Sequence, residues 1–257
     1  MFDSISGKIS ARSAALLITL ENRLDRILQT WLLLAGLASM ARIATAPAPR
    51  TGEGVLPIVA PYVLLVLAPV ASTFLALRWF RNGENHPQPQ TRLARVGSWT
   101  DVSLGEAKRH RLYGPTGIMV SLLVGMMLNV PVRALEYLAA MPPVADTAPR
   151  WLATLHFAMT FDVVLFGSLY MIAFVAALRK VPLFPRLLLA IWLGDLTMQV
   201  MTAQLVAGTH LPAGVALALK PFLMGNVKKV LISMALWLPY LLLSTRVNVT
   251  YRHRLPA

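Results

Sequence analysis

WLATLHFAMTFDVVLFGSLYMIAFVAAL, residues 151–178, carries one formal charge, Asp162, and is closed by the basic pair Arg179 and Lys180. A membrane-crossing helix needs roughly 20 mostly apolar residues, so this stretch reads as a transmembrane span. Working outward, the same reading applies to residues 27–45, 55–80 and 115–140 before it and to 186–209 and 221–245 after it. Arg42 sits near the end of the first of these spans, and Arg133 and Glu136 sit near the end of the third, where charges snorkel toward headgroups. Whole-chain composition agrees: 56% of the 257 residues are hydrophobic, 14% are charged and the mean hydropathy is +0.61. A soluble domain of that composition would expose a large apolar surface. The expected fold class is all-α, a polytopic transmembrane helical bundle of six spans.

Basic residues set the expected orientation. Lys8, Arg12, Arg23 and Arg26 precede the first span, and Arg78, Arg81, Arg92, Arg95, Lys108, Arg109 and Arg111 follow the second. Arg179, Lys180 and Arg186 follow the fourth, and Arg246, Arg252 and Arg254 follow the sixth. The alternate side holds only Arg50, Arg150 and Lys220. By the positive-inside rule both termini are expected in the cytoplasm, with the basic segments against the anionic headgroups of the lipid bilayer. The same topology accounts for the formal net charge of +13. Nucleic-acid binding is not expected, because the charges are divided among four segments without interleaved aromatics or a recognition motif.

The chain is expected to divide at its longest loop. Residues 1–110 hold an N-terminal amphipathic segment, two spans and the basic loop, and residues 111–257 hold a core of four transmembrane helices. Within the loop, Asn82 to Gln90 is rich in turn formers, and Ser103 to Arg111 reads as a short helix. Leu16, Leu17, Leu20, Leu24, Ile27 and Leu28 form a helical stripe. Residues 10–28 are therefore either an amphipathic helix on the membrane surface or an extension of span one.

Zero cysteines exclude disulfides, thiol nucleophiles and thiolate-bound metals. Of the five histidines, only His156 and His210 fall toward one end of adjacent spans, and an interfacial hydrogen bond is the expected role of each. No metal or cofactor is expected. Gly-x-Ser-x-Gly, His-Glu-x-x-His, paired-Asp protease and phosphate-loop motifs are absent from the sequence, and the chain is not expected to be an enzyme.

Ionisable residues at depth are the candidate functional residues. Asp162 and Asp195 fall near the middle of spans four and five, and Lys228 and Lys229 fall inside span six. A charge at the helix centre costs ~2.5–3.5 kcal/mol on insertion scales, so such groups are expected to pair or to line water. Both aspartates should face inward, with at least one of the lysines as counter-charge. Asp195, Gln199 and Thr202 recur at i, i+4 and i+7 and share a helix face. Ser121, Gly125 and Asn129 recur similarly on span three, with Asn129 placed to bond across the bundle. Gly125, Gly167, Gly194 and Gly225 fall within spans, where small residues permit close helix approach.

The last span and tail read Trp237, Leu238, Pro239, Tyr240, then Ser244, Thr245, Arg246, Val247, Asn248, Val249, Thr250 and Tyr251. Pro239 removes a backbone hydrogen bond and bends the helix, Trp237 and Tyr240 suit an interfacial anchor, and Arg246 suits a headgroup contact. This closing pattern resembles that of the bacterial inner-membrane family catalogued as domain of unknown function 2569. Trp151 opening span four, and Arg179 and Lys180 followed by Phe184 and Pro185, extend the likeness over roughly residues 112–254. Thr245 and Asn248 stand where that family commonly has Lys, and Tyr113 to Gly117 lacks its Gly-Gly-Trp opening. The resemblance implies a four-span core in the bacterial inner membrane and carries no activity. Two functions fit the polar interior. One is a non-enzymatic scaffold or accessory subunit meeting a membrane-protein partner or a second copy. The alternative is a small transporter or channel-like protein moving a proton, ion or small solute past Asp162 and Asp195.

Overall fold

The computed structural model of the chain describes residues 2–46, 55–91, 93, 97–144 and 148–257, with backbone alone over 2–11. Arg50, Arg92, Arg95 and the side chain of Lys8 lie outside the described residues. Helix α1 (Phe2–Asn22) meets α2 (Leu24–Ala44) at Arg23, and the helical ladder continues through that residue. Arg23 N–H donates to Thr19 O and Ile27 N–H to Arg23 O, both at 3.0 Å. Leu20, Leu24 and Leu28, one turn apart, are all buried. Residues 10–28 are thus a continuation of the first span, and Ser13 Oγ docks them by accepting from Gly117 N–H at 2.8 Å.

The remaining helices are α3 (Leu56–Trp79), α4 (Leu104–Arg109), α5 (Ile118–Ala140), α6 (Arg150–Leu178), α7 (Phe184–Ala207), α8 (Ala213–Leu243) and α9 (Thr245–Arg252). Among the described residues six helices, α2, α3, α5, α6, α7 and α8, are long and apolar enough to cross a membrane. The protein is an all-α bundle of six candidate spans. Helix α8 begins at Ala213, earlier than the expected 221, because Pro221 does not stop it. Transmembrane helices tolerate an internal proline where neighbours or local adjustments satisfy the freed carbonyl.

Helix α6 is apolar on every side, the pattern of a buried helix. It is packed against α3, α5 and α7, and 67% of its apolar window is buried. Lipid tails are as apolar as the side chains, so close packing rather than the hydrophobic effect holds such helices together. A Cβ on Gly167 of α6 would lie 3.6 Å from Pro69 of α3, and one on Gly194 of α7 would lie 3.7 Å from Phe166 of α6. Gly125 and Gly225 instead face open space. Helix α8 is the outlier, resting chiefly on α7 with only 11% of its window buried.

The face carrying most of the basic residues is tied together by the tail. Strand β1 (Trp99–Asp101) pairs antiparallel with β2 (Arg254–Pro256), with Thr100 opposite Leu255. Helix α4 starts with a capping box, Ser103 and Glu106 each accepting from the other's backbone N–H. Tyr251 is fully buried and donates to Ala177 O at 2.9 Å. Buried Arg252 donates to Asn248 Oδ1 at 3.1 Å and Leu241 O at 2.9 Å, and burial pushes its pKa down to about 10. Glu84, in the short 3-10 turn Gly83–Asn85, accepts from Lys108 and, at 3.0 Å, from Tyr113 O–H, with Lys180 Nζ 3.6 Å away.

Candidate functional site

Three facing helices deliver opposite charges to the middle of the bundle. Arg133 of α5 donates through Nη1 to Asp162 Oδ2 of α6 at 2.8 Å and through Nη2 to Asp195 Oδ2 of α7. Its Nε donates to Asn129 Oδ1, one turn earlier on α5, at 3.0 Å. The guanidinium lies 5.2 Å from the Phe166 ring centroid and 5.9 Å from that of Tyr170, so aromatic faces supply a further cation–π attraction. Side-chain exposure is 11% for Arg133, 7% for Asp162 and 0% for Asp195. A planar, always-charged guanidinium suits this position because it can engage two carboxylates with separate nitrogens.

The second oxygen of each carboxylate is also engaged. Gln199 Nε2 donates to Asp162 Oδ1 at 3.0 Å and lies 3.4 Å from Asp195 Oδ1. Tyr170 O–H donates to Asp195 Oδ2 at 3.4 Å. Gln199 Oε1 in turn accepts from Asn226 Nδ2 of α8 at 3.4 Å. Asn226 Oδ1 accepts from Lys229 at 3.3 Å, and Lys229 is paired with Glu136 of α5. The buried centre and the exposed Lys229–Glu136 rim are thus one continuous polar chain across α5, α6, α7 and α8. By formal charge the buried centre holds one cation against two carboxylates.

Beside this chain is a cleft of about 50 Å³ lined by Arg133, Asp162 and Asn226 at its floor and by Val132, Glu136 and Lys229 at its rim. The rim residues belong to α5 and α8, so the cleft opens between those two helices. Its volume has room for a few waters, a small part of a file crossing ~30 Å of hydrocarbon.

Asp162, Asp195, Gln199 and Thr202 are all buried, and the last three share one face of α7. Three expectations need correction. Neither lysine of α8 pairs with an aspartate: Lys229 takes Glu136, and Lys228 is exposed on the side of α8 turned from the cluster. Arg133 takes the aspartates instead and does not snorkel, because its guanidinium finds two carboxylates and two rings without leaving the bundle. Asn129 bonds within α5, holding that guanidinium, rather than across the bundle. The missed members are Arg133, Asn226 and Tyr170. Arg133 was findable, since it extends the spacing of Ser121, Gly125 and Asn129 by one more turn.

At the other end of the chain, Trp237 and Tyr240 are half-buried and pack edge to face with centroids 6.0 Å apart. Pro239 is exposed inside α8, which continues to Leu243. Arg246, expected at the headgroups, donates instead to Leu112 O at 3.3 Å, Gly114 O at 3.2 Å and the Thr116 hydroxyl. Three acceptors presented by the loop ahead of α5 compete successfully for its charge. His156 is buried beside Tyr137 O–H at 3.1 Å, whereas His210 is exposed beyond the end of α7. Among the described residues no group of three His, Asp or Glu side chains is placed to hold a metal ion. Compared with known protein families, curated proteins and solved structures, the chain matches none.

Proposed function

We propose that this chain is a non-enzymatic multi-pass subunit of the bacterial inner membrane, a scaffold or accessory component that acts through contacts with other membrane proteins. In this reading both termini and the basic loops face the cytoplasm, where they meet anionic headgroups. The resemblance of its tail to domain of unknown function 2569, a bacterial inner-membrane family, supports this reading. One observation carries the reading. Arg133 joins Asp162 and Asp195 with every carboxylate oxygen facing a donor, an arrangement that fixes α5, α6 and α7 against one another. Breaking such a buried pair costs about 3–5 kcal/mol, so it serves as a lock on the packing.

A proton-coupled pathway is the second reading, favoured by the excess of one negative charge at the centre. One proton on the Asp162–Asp195 pair would balance it, and exchange of that proton would make the pair a relay. Purified protein in phosphatidylcholine vesicles, with a pH-sensitive dye inside and an imposed proton or potassium gradient, separates the two. The subunit reading expects the flux of protein-free vesicles. Flux in the wild type that disappears in folded Asp162→Asn or Asp195→Asn protein would replace it with the pathway.

A further inference from the structure

Lys228 lies midway between Ala213 and Leu243, at ~1.5 Å per residue about 22 Å from either end of α8. Unlike Lys229 it is given no carboxylate by the described residues, and it is exposed on a helix whose own bundle covers little of it. With Pro221, Gly225, Ile232, Ala235 and Pro239 it forms a seam with alternating spacings of four and three, the repeat of left-handed helix packing. Ile232 is 67% exposed, and nothing lies within 4 Å of the position where a Cβ on Gly225 would stand. This is a helix-packing face with a positive charge at its centre, and among the described residues no helix lies on it.

We propose that this face of α8 docks a transmembrane helix of another protein that carries an Asp or Glu at mid-depth opposite Lys228. Charge decides the occupant. With α8 centred in ~30 Å of hydrocarbon, lipid headgroups lie too far along the helix axis for the Lys228 side chain to reach. A second copy is disfavoured, because a symmetric α8 pair would bring two Lys228 ammonium groups together. It also has no spare acid to offer: Glu136, Asp162 and Asp195, the carboxylates at membrane depth, already hold Lys229 and Arg133. A helix from a different chain with its own carboxylate satisfies Lys228, and its close approach is permitted at Gly225. The proposal rests on the subunit reading and names the chemistry of the partner.

The test uses the full chain, labelled with an acceptor dye through Ala257→Cys, which is the sole cysteine in that variant. The probe is a synthetic donor-labelled leucine–alanine transmembrane helix with one central Asp, compared with the same helix bearing Leu there. Both are placed in phosphatidylcholine vesicles at mildly alkaline pH. Energy transfer is expected to show association with the Asp helix about tenfold tighter than with the Leu helix. Lys228→Leu should abolish the difference and Lys228→Arg should retain it. Equal binding of the two probes, or an unchanged preference in Lys228→Leu, would overturn the proposal. So would transfer between two labelled copies that is lost in Lys228→Leu, because it would seat a second copy on the face. The flux measurement is independent of all these outcomes, so failure here leaves the subunit reading standing or falling on its own test.

Discussion

Two positive charges sit at similar depth in this bundle and meet opposite fates. Arg133 is enclosed by two carboxylates, an amide and two aromatic rings, whereas Lys228 is exposed on the least covered helix. The first is compensated inside the chain and organises it. The second is given no carboxylate by the described residues, and it is there that we propose a partner helix docks. The difference follows from helix position. Helix α5 packs on α6 and reaches α7 through Arg133, so both aspartates meet it, while α8 packs chiefly on α7.

The largest effect on this contrast should come from Arg133→Leu, which leaves Asp162 and Asp195 facing each other without a cation. A loss of about 3–5 kcal/mol is expected, read from reversible unfolding in mixed micelles. Replacing all three residues by leucine should recover most of that loss, because a well-packed apolar core substitutes for a buried ion network. Asp162→Asn should cost much less, about 1 kcal/mol, since the amide resembles a protonated carboxyl and leaves one cation opposite one anion. If Asp162→Asn is as damaging as Arg133→Leu, the charge count at the centre is wrong.

Lys228→Leu should leave the isolated protein as stable as before or raise its Tm, because it removes a charge from the hydrocarbon rather than a packed contact. A lowered Tm would show that Lys228 has a partner inside the chain and would erase the contrast.

The smallest expected effect lies outside the membrane, at Glu84. Burial pushes its pKa up, but the hydrogen bonds from Lys108 and Tyr113 and the charge of Lys180 outweigh this and hold it below the ordinary carboxylate range. A carboxyl with a lower pKa in the folded state adds stability that is fully present above its unfolded pKa and is lost as pH falls through the folded value. Acidification should therefore loosen the clasp between the loop after α3 and the start of α5. Amide exchange at residues 110–114 should rise with acid more steeply in the wild type than in Glu84→Gln.

The six spans were legible because length and apolar content alone define a membrane helix, and the largest error in their ends was at the start of α8, which begins at Ala213 rather than 221. The two buried aspartates and the α7 stripe were legible for the same reason: a charge inside a span is conspicuous. Their partner was not. Arg133 and Lys229 both lie several residues inside a span, and only the rotation of α5 and α8 about their axes decides which one meets the aspartates. Arg246 was misplaced for a related reason, since a tail arginine near the interface has headgroups and loop carbonyls within equal reach, and the sequence does not show that residues 112–116 fold back onto it.

The central claim, that the Arg133–Asp162–Asp195 centre is a closed lock, is tested most directly by accessibility. Val163, buried at the edge of the cleft beside Asp162, can be made the sole cysteine in a chain that otherwise has none. In oriented vesicles a membrane-impermeant thiol reagent should leave Val163→Cys unmodified from either side until the protein is unfolded. Modification of the folded protein from one side would reveal a water-filled route to the charges and contradict the lock.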